Sequence, residues 1–253
     1  DSTADGLDVD VLRSDDPGTL ALVFNRREMT SEWIPIPFQD PSMNLGQEVL
    51  SLSLQEDGAA QGSIAFTFKG HLASIFRQTS RNSEKFEKIL QIVTDAVVKG
   101  AVIESPGQVD IESIEKPVEM TVRLSTKTFS RVKDNEMRFK IPFDAQPEKL
   151  FSTDKRDYPL IIGVPNRSQW QMHFQLPAGA RVTHLPPVFR IDSSCISFQR
   201  EVTQEKNMVH VQQTLTYLCE RISPEDYPFY RTQVQNLRHA LDDDVVLTLK
   251  PSK

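Results

Sequence analysis

The strongest constraint in this sequence is an alternation of apolar and polar residues with period two. Residues 50–54 read Leu-Ser-Leu-Ser-Leu and residues 64–68 read Ile-Ala-Phe-Thr-Phe. Successive side chains of a strand point to opposite faces, so this pattern marks strands buried on one side only. Glu56-Asp57-Gly58, between the two runs, is a turn signal. The inward residues of both strands carry even numbers, so facing positions sum to an even number. An unbulged loop between them then holds an odd number of residues, three or five.

The same alternation recurs along the chain. Val118, Met120, Val122 and Leu124 show it, as do Met137, Phe139, Ile141 and Phe143, with the polar run 133–136 expected to turn one strand into the other. Trp170, Met172, Phe174 and Leu176 follow, ending in a Leu-Pro-Ala-Gly turn, and Leu160–Val164, Val188–Ile191 and Ile196–Phe198 are shorter apolar runs. Val209, Val211, Leu215 and Tyr217 share one parity, and Val245–Leu249 reads as a closing strand. Two segments switch to helical spacing. In the first, Asn82 or Ser83 is the cap, Phe86, Ile89, Leu90, Val93, Ala96 and Val97 form a stripe, and Gly100 is a stop. A shorter helix is expected over 71–77. In the second, Ser223-Pro224-Glu225-Asp226 opens a helix with Tyr230, Val234, Leu237 and Leu241 as its apolar face. The fold class expected is α+β, mainly β: antiparallel, sandwich-like sheets with two packed amphipathic helices near 83–99 and 226–241. The polar stretch 144–156, broken by Pro147, places a boundary between a β-rich domain at 1–147 with a hairpin and central helix, and an antiparallel β domain at 148–253 with a C-terminal helix.

Chemistry is sparse. A cysteine nucleophile needs a base in reach and a group that orients it. The order Cys219, His239, Asp242 offers this superficially, but Cys219 ends a strand instead of opening a helix, and His239 and Asp242 sit at a helix carbonyl end. His71, His173, His184, His210 and His239 form no paired ligand motif, no Cys-x-x-Cys exists, and only 10 glycines are present, with no phosphate loop among them. The expectation is no catalytic, cofactor-binding or metal site, no cofactor, and no identifiable ligand-binding residue. A turn near 204–207 sets position 195 beside 216 and leaves Cys219 three residues out of register with Cys195. Both therefore read as small buried hydrophobes, with a single disulfide as the alternative. Trp170 reads as core. Trp33, in the Pro-punctuated segment 32–38, is the better of the two tryptophans for an exposed contact, although burial is its default reading.

The net charge of −6, from 29 basic and 35 acidic residues, argues against a nucleic-acid partner. Acidic residues gather at 1–10 and 242–244 without the spaced oxygens and central glycine of a calcium loop. No apolar run approaches the about 20 residues of a membrane span. A chain opening on Asp1 reads as processed or trimmed.

Several motifs recur in one order over about 220 residues. They are a Pro-rich strand ending near Asn44, the Asp57-Gly58 hairpin, and Gly70-His71-Leu72-Ala73 with Arg77. Arg156-Asp157-Tyr158-Pro159-Leu160, Leu176–Gly179 and Leu185-Pro186 come next. Ile222-Ser223-Pro224-Glu225-Asp226-Tyr227, with Tyr230 and Arg231, closes the series. This order resembles the β-rich region that follows the catalytic core in bacterial transglutaminase-like proteins of the papain-like cysteine peptidase superfamily, which carry an N-terminal domain of unknown function. The resemblance implies a non-catalytic accessory or interaction region of a cell-envelope protein, the family's Cys, His and Asp lying upstream and matching no position here. It implies an upstream transglutaminase-like domain as partner, with an envelope protein or peptide as a further one, and a periplasmic or extracellular setting. The competing expectation is an independent glycan- or protein-binding β-sandwich module.

Overall fold

The computed structural model describes residues 6–250 except 9, 107, 108 and 110. In chain order the strands and helices begin with β1 (Leu20–Asn25), β2 (Thr30–Pro35), β3 (Leu45–Leu54) and β4 (Ala60–Phe68). Next come α1 (Gly70–Ser80), α2 (Ser83–Val97), β5 (Val102–Pro106), β6 (Val118–Thr126), β7 (Arg131–Lys133), β8 (Glu136–Lys140) and α3 (Pro147–Leu150). The remainder comprises β9 (Leu160–Ile161), β10 (Asn166–Gln175), β11 (Arg181–His184), β12 (Phe189–Asp192), β13 (Ile196–Glu205), β14 (Met208–Tyr217), β15 (Arg221–Ile222), α4 (Tyr227–Leu241) and β16 (Asp244–Thr248). With 41% strand against 20% helix, the fold is α+β and mainly β, built from several antiparallel sheets.

The central feature is an eight-stranded sheet in the order β12-β13-β14-β10-β3-β4-β6-β5. Its pairings are antiparallel except for β10 against β3, which run parallel with Trp170 beside Glu48 and Phe174 beside Leu52. Strands from both sides of position 147 therefore meet in one sheet. The loop between β3 and β4 holds five residues, since Leu54 faces Ala60, in keeping with the parity of the two strands.

The sheet is buried on one face. Leu50, Leu52, Ile64, Phe66, Val122, Leu124, Met172, Phe174, Phe198, Val211 and Leu215 all point inward, while the opposite face carries Ser51, Ser53, Thr121, Arg123, Gln171 and Gln212, all exposed. This is the division expected of a mostly antiparallel sheet. Two layers cover the inner face. At one end Phe76 of α1 lies 5.2 Å from Phe68 and 5.8 Å from Phe86 of α2, ring centre to ring centre. At the other end Phe139 of β8 meets Phe174 at 5.0 Å, bringing down a four-stranded sheet ordered β11-β16-β8-β7.

Two expectations need correction. β6 and the Met137 strand are not partners: β6 pairs with β4 and β5, whereas β8 pairs with β7 and β16 in the other sheet. The polar run 133–136 does turn, but between β7 and β8, through Asp134 and Asn135, both at positive φ (51° and 62°). That is the conformation of a two-residue hairpin turn, which Asn and Asp tolerate. The cysteines are also bonded. The β13–β14 turn uses Lys206 and Asn207, so Glu205 faces Met208 and Ile196 faces Tyr217, two residues away from the register expected. Leu218 N then donates to Cys195 O at 2.8 Å, and Cys219, one residue on, forms the disulfide with Cys195 at a Cα separation of 4.8 Å.

Candidate functional site

The hairpin β1–β2 stands apart from both large sheets. Its register places Leu20 opposite Pro35, Leu22 opposite Trp33 and Phe24 opposite Ser31. Directly opposed residues share a face, and alternate residues along a strand do too. Leu20, Leu22, Phe24, Trp33 and Pro35 therefore form one apolar face. It lies open: Leu22 is 56% exposed, Phe24 55% and Trp33 64%. The hairpin is tied at its base by Gly18 N to Ile36 O (2.9 Å) and Ile36 N to Thr19 O (2.8 Å). At its tip Asn25 Oδ1 accepts from the backbone N–H groups of Arg27 and Glu28. An isolated two-stranded ribbon is marginal in water, and a contiguous exposed apolar surface marks an interaction site. Trp33 thus occupies the exposed contact position, and its default burial is overturned. The hairpin has no hydrophobic core of its own against which the indole could close.

A second feature lies under α1 and α2. Glu48 on β3 sits at an inward, even-numbered position and is only 9% exposed. Its Oε2 is fully enclosed and receives no hydrogen bond from the protein. Burial, reinforced by the charge of Asp144, pushes its carboxyl up to about 9. Asp144 in turn accepts from Trp170 Nε1 at 2.8 Å. Glu48, Asp144, Trp170 and Ser168 line a cavity of about 330 Å³ whose remaining walls are apolar. The signal was present in the sequence: Glu48 continues the parity of Leu50, Leu52 and Leu54, so a charged residue stood at a core position.

The residues weighed as a cysteine nucleophile are not poised for that chemistry in this state. Cys219 Sγ is committed to Cys195, leaving no thiolate. Asp242 accepts from Lys140 Nζ at 2.7 Å, a bond that holds its carboxyl below the usual range. His173 and His210 pair across β10 and β14 with their Nδ1 atoms 2.9 Å apart, and His184 meets Asp243 at 2.9 Å. Among the described residues no three His, Cys, Asp or Glu side chains gather as a metal site, and no helix is long and apolar enough to cross a membrane. Asp1 and Asp5, counted in the N-terminal acidic group, lie outside the described residues.

Several of the motif residues have structural tasks. Arg77 is 2% exposed and donates to the backbone carbonyls of Gly6 (3.1 Å), Ser113 (3.0 Å) and Lys116. The Arg156 guanidinium lies 5.7 Å from the centre of the buried Tyr227 ring, and Tyr227 Oη donates to Thr153 O at 2.8 Å.

A family model described as a Domain of Unknown Function with solved structure, DUF3858, matches residues 135–247, less than half of the chain. No curated protein matches. A crystal structure of a candidate protease from Parabacteroides distasonis is similar over 47% of this chain, with 15% identity and a TM-score of 0.40. The similarity spans 24% of that protein's chain, and at this level it carries no argument.

Proposed function

We propose that this chain is a non-catalytic accessory region of a transglutaminase-like cell-envelope protein, and that it packs on that protein's catalytic core through the β1–β2 hairpin. The observation that carries the reading is the open apolar face of Leu20, Leu22, Phe24, Trp33 and Pro35 on a ribbon with no sheet behind it. In the family that the motif order resembles, the catalytic core lies upstream of the β-rich region. The DUF3858 match over residues 135–247 is compatible with such a region. The Cys195–Cys219 disulfide supports an oxidising setting outside the cytoplasm, because such bonds are rarely kept in a reducing one. Envelope proteins or peptides are the further partners of this reading.

The test compares hydrogen exchange of the hairpin amides in this chain alone and in the whole gene product. Strong added protection over 20–35 in the longer protein is expected, and Trp33→Ser should remove it. Equal exchange in both would overturn the packing role. Turnover of peptide or glutamine-donor substrates by this chain, abolished in Cys219→Ala, would overturn its non-catalytic character. The second reading, a glycan- or protein-binding module, draws on the exposed aromatic pair Phe24 and Trp33. Saturable binding of envelope glycans to this chain, lost in Trp33→Ser, is the result that would favour it.

A further inference from the structure

We propose that the cavity between the α1–α2 pair and the inner face of the large sheet is a binding site for an aliphatic ammonium, with the cation held by Glu48 and Asp144 and the alkyl chain against Phe68, Phe76, Ile89 and Val93. This assignment does not depend on the role proposed for the hairpin.

The first argument concerns the acids. Buried polar atoms are ordinarily hydrogen-bonded, and a native exception calls for an explanation. Glu48 Oε2 is enclosed without a donor, and the charged neighbour that bears on Glu48 is another carboxylate, Asp144. Trp170 Nε1 donates to Asp144 Oδ1, and Asp144 and Trp170 both bear on the Glu48 carboxyl as hydrogen-bonding neighbours, while Oε2 itself meets no donor. The donors open to the pair are the Ser168 hydroxyl in the same lining, a proton shared between the carboxyls, and a cation brought in from outside. An ammonium offers three N–H donors from one compact charge and answers both acids at once.

The second argument concerns the walls. The cavity, about 330 Å³, falls in the size range of small-molecule sites, which combine apolar lining with a few convergent polar groups. A hydrated metal ion is a poor fit, because calcium and magnesium take six or more oxygen ligands whereas two carboxylates among phenylalanine and isoleucine side chains offer few. A neutral or anionic apolar molecule would fill the walls but leave the acids unanswered. A cation with an alkyl tail satisfies both ends. Access is from the α1 side, where Leu72 is 40% and Ile75 59% exposed at the rim.

The chemistry is shared by a free alkylamine and by a lysine side chain of a peptide, so both are titrated. Isothermal titration calorimetry of the intact chain uses n-hexylammonium chloride and N-acetyl-lysine methylamide, with hexanol and hexanoate as controls. One-to-one binding of at least one amine is expected, at least tenfold tighter than either control. Glu48→Gln keeps the side-chain shape, removes the carboxyl that an ammonium would ionise on binding, and should weaken the amine at least tenfold while hexanol is unaffected. Asp144→Asn gives the same reading should Glu48→Gln fail to fold. Tighter binding of hexylammonium assigns the site to a free amine, and tighter binding of the lysine derivative assigns it to a side chain. Amines binding no better than hexanol, or equally well to the folded variants, would overturn the proposal.

Discussion

Gly70 and Asn44 are in such close contact that a Cβ on Gly70 would lie 2.3 Å from Asn44 Oδ1. Gly70 opens α1 at φ +62°, and the same Asn44 oxygen accepts the His71 N–H at 3.1 Å, capping a helix whose own preceding residue, Lys69, offers no side-chain cap. Asn44 is 3% exposed, and its Nδ2 donates to Pro165 O at 3.2 Å, so one side chain joins β3, α1 and the entry to β10. Gly70→Ala adds a clash to an unfavourable backbone conformation, and a loss of roughly 2 kcal/mol or more is expected. Asn44→Ala should cost about 1–3 kcal/mol through its abandoned partners. Urea melts of both variants check this, and a Gly70→Ala midpoint equal to wild type contradicts it.

The disulfide should contribute measurably to stability. Cys195 and Cys219 are 24 residues apart and close the open end of the β13–β14 hairpin. Constraining an unfolded loop of that size contributes about 3 kcal/mol in the chain-entropy view. The paired Cys195→Ser, Cys219→Ser variant is expected to unfold at lower urea, and dithiothreitol should shift the wild type but not the variant. Coincident curves for wild type with and without reductant would show that the bond contributes little.

Glu48 should leave a signature in the pH dependence. Its carboxyl is raised from 4.5 to about 9, first by burial and then by the Asp144 charge. Between those values the folded protein holds a proton that the unfolded chain has released. Stability is therefore fully present below the unfolded value and falls as pH rises towards the folded one. At about 1.4 kcal/mol for each unit, the loss between pH 5 and 8 reaches up to about 4 kcal/mol. Glu48→Gln should remove this slope, so the variant gains on wild type with rising pH. The check is the difference between the two stability profiles, in which the histidines and other titrating groups largely cancel. A difference that is flat with pH speaks against a protonated Glu48.

Local structure was legible in this sequence, and non-local pairing was not. Parity alone implied an odd loop, and five residues separate Leu54 from Ala60. Asn82 Oδ1 accepts from Lys85 N at 3.0 Å as the expected cap, and α2 runs Ser83–Val97. Alternation tells which face a residue occupies but not which strand lies beside it, so β6 and β8 look like partners in sequence although they belong to separate sheets. The parallel β3–β10 pairing joins segments over a hundred residues apart, with no local signal to announce it. The cysteine register failed by two residues because a polar run does not reveal which pair makes the turn. Lys206, at φ 52°, was not a residue to expect there. The hairpin face has no signal in alternation, because Leu20-Ala21-Leu22-Val23-Phe24 is a continuous apolar run, and the exposure of Leu20, Leu22, Phe24 and Trp33 is decided by tertiary packing. Glu48, Arg200 and Gln213 all stand at inward positions, and a polar residue in core phase was the overlooked clue.

The last helix is expected to hold the structure together and not to bind a partner. Tyr227, Tyr230, Val234 and Leu237 of α4 are buried, with Leu237 fully so. Polar contacts fix the helix at both ends. Tyr230 Oη meets Ser194 Oγ at 2.9 Å, and the buried Arg200 donates through Nη1 to Ala240 O at 2.8 Å, placing a cation at the carbonyl pole. At the start, Ser223 Oγ accepts from Asp226 N at 3.1 Å in the turn that leads into the helix, while Asp226, the N-cap residue of Tyr227–Leu241, makes no side-chain cap bond. Removing the Leu237 side chain leaves a cavity against a wall fixed by these bonds, and Leu237→Ala should cost about 2–5 kcal/mol. Ser223→Ala removes one hydrogen bond of that turn at an exposed site and should cost only about 1 kcal/mol. Thermal melts of the two variants separate the roles, since the ranking follows from burial alone. If Leu237→Ala leaves the midpoint unmoved while Ser223→Ala lowers it, the apolar stripe of α4 is not a core surface, and the helix is better read as a docking element.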